Sequence, residues 1–141
     1  MYIWYTIFMI GAISTALSGL MAASKKVETS AENIANLNTS GALDANSGPA
    51  PYQTQITTQT SNPGGGVSAQ SVPKDPGFVT AYDPNSPFAN ADGLIGVPNT
   101  DLAEEAVNLK TAEIAYKANL KTLETADELN KELLSMFDKK V

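Results

Sequence analysis

Ile13, Leu20, Val27 and Ile34 stand at every seventh position of the N-terminal part of the chain, and Leu102, Leu109, Tyr116, Leu123 and Phe137 keep the same step near its end, with only Asn130 breaking the apolar series. An apolar recurrence of seven lines up along one narrow stripe of an α-helix, whereas a strand alternates every second residue. Leu17, Ala23, Ala31 and Leu37 fill the intervening turns of the first series, and Ala106, Ala112, Leu120, Ala126, Leu133 and Leu134 supply most of those of the second. Two segments with one shared period are expected to pack along each other. On this reading the apolar seams meet inside the chain, and the small or polar back of the first helix, Ser14, Ser18, Ala22, Lys25, Lys26, Glu32 and Asn33, is left to other copies.

Between the two periodic ends the composition changes. From Gly41 to Asn99 the chain holds all 8 of its prolines and 8 of its 10 glycines. Proline removes a backbone donor and glycine costs conformational entropy, so this middle forms loops and short strands. Tyr52 to Thr60, Val67 to Val72 and Gly77 to Tyr82 read as three short strands, while Asp83 to Pro98 reads as irregular and extended. So small a β region buries too little apolar surface to stand alone and is expected to lean on a helix or on another subunit.

The helix boundaries are written in polar residues. The first helix is expected to stop in the cluster Asn36 to Gly41, with Gly41 as a left-handed cap. The second starts at an N-cap, Asp101, with Glu104 three residues on as in a capping box, and runs to about Phe137. Glu113 with Lys117 and Asp127 with Lys131 are favourable four-apart pairs on its outer face, and Lys139 and Lys140 suit its C-terminus. The expected architecture is mainly α with a small β region. Its long N- and C-terminal helices pair in coiled-coil fashion as an inner domain, residues 1–41 and 100–141, with an extended or β outer segment, 42–99.

Composition narrows function. Cysteine and histidine are absent, which removes disulfides, thiolate metal sites and imidazole acid/base chemistry. All 9 basic residues are lysine and the net charge is −6, which argues against nucleic acid as a ligand. Residues 1–24 carry no charged side chain. Three readings of that start stay open: a helix buried in an assembly, a membrane anchor, and a cleaved signal that lacks the usual leading lysines.

No constellation for catalysis, metal or cofactor emerges. Glu104 and Glu105 are neighbours on a helix, read as helix-start charges rather than an acid/base pair. Asp83, Asn85, Asn90 and Asp92 lack the spacing and closing glutamate of a calcium loop. Gly64, Gly65 and Gly66 lack the following Lys-Ser/Thr of a phosphate loop and read as a turn.

The run Ser30, Asn33, Ala35, Asn36, Thr39 and Gly41 resembles the motif that closes the N-terminal helix of axial proteins of the bacterial flagellum, the rod and hook family. Tyr82, Asp83, Pro84, Asp92, Gly93, Pro98 and Asn99 are similar to the segment that precedes the C-terminal helix in its proximal-rod members. The resemblance implies a structural subunit of the basal-body rod, polymerising into a tubular drive shaft that transmits torque and surrounds the export channel. It implies copies of the chain, other rod subunits and the flagellar type III export apparatus as partners, with export to the periplasm without signal cleavage. No enzyme activity, cofactor, nucleic acid or small-molecule substrate goes with it. A sister rod or hook subunit and a membrane-anchored periplasmic coiled coil are the competing readings.

Overall fold

The computed structural model describes residues 2–44 and 47–138, with helix side chains from Ile10 to Met136. The side chain of Phe137, the apolar side chains up to Met9, and Lys139 and Lys140 lie outside the described residues. In chain order the elements are α1 (Tyr2–Ala35), β1 (Gln55–Ser61), β2 (Val67–Pro73), β3 (Phe78–Tyr82), β4 (Leu94–Pro98) and α2 (Leu102–Asp138). α1 packs along α2, and neither helix is long and apolar enough to cross a membrane among the described residues.

Both helices end where their polar residues compete with the backbone. Asn36 donates its side-chain amide to the Glu32 carbonyl at 2.9 Å, and Leu37 makes a tighter three-residue bond to Ile34, so α1 stops at Ala35. At the other helix, Asp101 Oδ1 accepts the Ala103 amide at 2.8 Å, as an N-cap does. Glu104 does not turn back to close a capping box; it takes Lys74 Nζ at 3.2 Å. Gly41 is no left-handed cap either. It bridges Gly96, and a Cβ there would strike the backbone of Pro49 to Pro51, so the residue serves close packing.

The middle folds into two antiparallel hairpins. β1 pairs with β2 from Gln55↔Pro73 to Ser61↔Val67, through a turn at Asn62 to Gly66. β3 pairs with β4 from Phe78↔Pro98 to Tyr82↔Leu94. β4 was expected to be irregular. It becomes a strand by pairing along its length with β3, and Gly96, which has no side chain, also lets Gly41 and Pro51 lie against it.

The β1–β2 hairpin leans on α1. Ser18 Oγ accepts the Val67 amide at 3.0 Å, and the hydroxyls of Thr29 and Ser71 bond to each other. Seven strand residues reach ~23 Å, which matches the ~22 Å of helix between Ser18 and Asn33. Gly66 holds the tip, with φ +81° and its Cα against the Ser18 side chain.

The helix pairing differs from the expected one in its large side chains, which stay outside, while the expected seam positions Ala23, Ala112 and Ala126 are buried. The residues buried on α1 are Ala16, Ala22, Ala23, Thr29, Ser30 and Asn33, and on α2 they are Glu105, Ala112 and Ala126. These also repeat by sevens, as Ala16, Ala23, Ser30 and as Glu105, Ala112, Asn119, Ala126. Small side chains let two helices approach closely: a Cβ on Gly19 would lie 2.5 Å from Asn119 Oδ1. The pair Gly19 with Asn119 and the pair Asn33 with Glu105 are two heptads apart on each helix, so the helices are antiparallel and in step. Ala22 and Asn33 of the back face assigned to other copies are thus used inside the chain, while Ser14 and Glu32 of that face are exposed.

Large residues fit this interface poorly. Replacing Ala112, 1% exposed, by leucine is expected to cost about 1–3 kcal/mol of overpacking and to lower the thermal midpoint by roughly 3–9 °C, read by circular dichroism at 222 nm.

Candidate assembly surface

Asn33 lies where α1, α2 and β1 converge, and it is 0% exposed. A side-chain amide has two donors and two acceptor positions, and all four are used. Nδ2 donates to the Gln55 carbonyl at 2.8 Å and to Glu105 Oε1 at 2.6 Å. Oδ1 accepts the Gln55 amide at 2.9 Å and the Tyr52 hydroxyl at 3.0 Å. The amide therefore pairs with Gln55 as a neighbouring strand would.

Around it the polar groups are satisfied. Thr54 bonds Thr100 through their hydroxyls at 2.8 Å, and no buried side-chain nitrogen or oxygen among the described residues lacks a partner. Burial first, then the carboxylates of Glu32 and Glu105, raise the Tyr52 phenol above its ordinary pKa of 10.0. Glu105 was read only as a helix-start charge. Its burial against a helix 72 residues away in sequence carries no local signal.

The expected seam residues line the outside of this core. Ile13, Leu17, Val27, Leu102, Tyr116, Leu120 and Leu134 are exposed, Leu17 by 51% and Leu134 by 64%, and Ala31 is exposed with them. Leu20, Ile34, Leu109 and Leu123 are half-buried beside the interface. Val27 faces Leu109 and Tyr116 across an open groove of about 500 Å³ between the helices. Val107, Ile114, Leu129 and Met136, which the seven-residue series omitted, are exposed on another flank of α2. The i, i+7 steps from Val107 to Ile114 and from Leu129 to Met136 could have revealed them.

The other motif residues have structural posts. Ser30 is buried between the elements, Ala35 is the last residue of α1, and Thr39 Oγ1 donates to Asn36 Oδ1 at 3.2 Å. Tyr82 ends β3 with its ring exposed, and its backbone neighbour Asp83 accepts the Asn85 amide at 3.3 Å. Gly93, at φ +74°, sits against Tyr82 and Pro84, and Asp92 precedes it at the surface. Pro98 closes β4, and Asn99 Nδ2 donates to the Pro76 carbonyl at 2.9 Å.

Charge on the outer face is local. Lys117 and Lys110 both bond Glu113 and hold its carboxyl down to about 2, and Lys131 reaches Asp127 at 2.6 Å. Such exposed pairs contribute little to stability. Among the described residues no group of three or more acidic, histidine or cysteine side chains is placed to hold a metal ion.

A helical hairpin whose inside is small and polar and whose outside carries large apolar residues in helical register is a subunit that builds structure with neighbours. Residues 13–42 match the model of the flagella basal body rod protein, and residues 91–136 that of the flagellar basal body rod FlgEFG protein C-terminal region. The chain is 30% identical over 136 residues to the flagellar basal-body rod protein FlgC of Yersinia enterocolitica, covering 91% of this chain and 97% of that one. It is 29% identical to FlgC of Salmonella typhimurium over the same shares, and 28% identical to that of Bacillus subtilis over 77% of this chain and 85% of the relative. The chain belongs to the FlgC family of flagellar basal-body rod proteins.

Loss of the central amide is expected to cost more than any surface change. Asn33→Ala leaves the Gln55 backbone and the Tyr52 hydroxyl without partners and is expected to lower unfolding free energy by ~3 kcal/mol or more in urea titration. A raised phenol pKa stabilises the folded state fully below about pH 10, and that contribution is lost as pH rises through the raised value. Tyr52→Phe is therefore expected to flatten the alkaline loss of stability.

Proposed function

We propose that the chain is a structural subunit of the proximal rod, polymerising with its own copies and with other rod subunits into the tube that transmits torque and surrounds the export channel. The observation that carries this reading is the run of large apolar residues exposed along both helices. A single copy leaves Leu17, Val27, Tyr116, Leu120 and Leu134 in water. Neighbouring copies supply the cover, and a head-to-tail contact whose rotation does not close makes a helical filament.

In this reading α1 and α2, residues 1–41 and 100–141, pair in coiled-coil manner as the inner body. Residues 42–99 form the outer part, with the β1–β2 hairpin held down on α1. The subunit reaches the periplasm through the type III export apparatus without signal cleavage, and it performs no catalysis. Rigidity of the shaft follows from many such helices covering one another's apolar stripes, with the protein's own core already closed by small residues.

The exposed stripe is separable from the fold. Leu17→Asp and Leu120→Asp touch side chains that are 51% and 40% exposed, so helix content and secretion of the subunit are expected to persist. Incorporation into isolated basal bodies and swimming are expected to be lost, because each aspartate would be desolvated in the contact. Normal basal bodies containing either variant would defeat the reading.

A further inference from the structure

We propose that the hydrogen bond between Asn33 and Glu105 couples docking of the β1–β2 hairpin to pairing of α2, so that each event stabilises the other through one side-chain amide. The elements themselves leave few routes for such coupling. α2 packs against α1, and no strand packs against α2 among the described residues. Whatever the hairpin communicates to α2 passes through α1 or through side chains that bridge.

Asn33 is such a bridge, and the amide's planarity is the reason it couples. When β1 is docked, the Gln55 backbone engages both ends of the amide, the carbonyl through Nδ2 at 2.8 Å and the amide proton through Oδ1 at 2.9 Å. That fixes the plane, and the second Nδ2 proton is then aimed at Glu105 Oε1, 2.6 Å away. Without the strand the amide rotates about its terminal torsion, and the carboxylate loses an oriented donor. A donor to an ionised acceptor is among the stronger hydrogen bonds, and both partners are buried. Tyr52 reinforces the arrangement from the loop before β1, through Oδ1 at 3.0 Å.

A second bridge exists. Lys74, just beyond β2, reaches Glu104 at 3.2 Å, but Glu104 is exposed and the pair is screened. The Thr54–Thr100 hydroxyl bond also joins the residue before β1 to the segment before α2, and Thr54→Val removes it. The coupling is assigned to the buried bond, and the routes are separable by substitution.

The test uses the full-length chain, which contains no cysteine, so an introduced pair is unambiguous. Thr29 and Ser71, whose hydroxyls bond to each other, are replaced by cysteines to tie the hairpin to α1 without touching α2. Amide hydrogen exchange of α2 between Glu105 and Asn119 is compared in the reduced and oxidised protein. Closing the disulfide is expected to slow that exchange about tenfold, a common size for coupled sites. Adding Lys74→Ala or Thr54→Val is expected to keep the response, and adding Glu105→Ala to abolish it. Glu105→Gln, which keeps an uncharged acceptor, is expected to leave about a threefold response and decides the matter if the alanine variant does not fold. The proposal is overturned by an unchanged α2 on oxidation, by a full response in Glu105→Ala or Glu105→Gln, or by its loss in Lys74→Ala or Thr54→Val.

Discussion

The buried amide of Asn33 is the contact on which the rest of the fold depends. One planar group serves a helix, a strand, a loop tyrosine and the opposite helix, and none of its four bonding positions is left open. A polar group so placed is costly unless every partner is present, so it favours the single arrangement in which all of them are. The small residues that repeat by sevens on either helix extend the same selection along the helix pair. Gly19 under Asn119 tolerates no larger neighbour without movement.

The inside and the outside of the helix pair thus have different chemistry for different tasks. Alanines, a glycine and a hydrogen-bonded carboxylate close the chain on itself, while leucines, isoleucines, valines, methionines and a tyrosine of the helices remain on the surface. In an ordinary monomer the large apolar side chains would be the core. Here they stay on the surface of the single chain, where burying them would be favourable. The β1–β2 hairpin stiffens α1 along the span from Ser18 to Asn33, and the β3–β4 hairpin gathers the loops through Gly41 and Gly96.

Local rules located most elements. The Asn36 cluster ended α1, Asp101 capped α2, and the Thr-rich runs around Gln55 and Val67 made a hairpin, because each of these depends on residues within a turn or two. The four-apart pairs of α2 formed for the same reason. β4 was missed since its strand character comes from pairing with β3 and from Pro51 and Gly41 closing over Gly96, contacts that no window around Leu94 contains. Glu105 stands in the first turn of α2 as expected, but its second role as a buried partner of Asn33 was not legible. Its partner lies on the other helix, and next to Glu104 it looks like any acidic helix start.

The sequence by itself determined the two helices, the stop of the first and the start of the second, their common seven-residue step, and, through the Ser30 to Gly41 and Tyr82 to Asn99 motifs, the flagellar axial family. Those are properties of local spacing and of short runs of residues. Only the tertiary structure decided which of two interleaved heptad series faces inward. Periodicity marks every stripe of a helix alike. The choice was made by volume and by bonding between residues distant in the chain: Gly19 admits Asn119, Asn33 requires Glu105, and the large apolar series is left for neighbours.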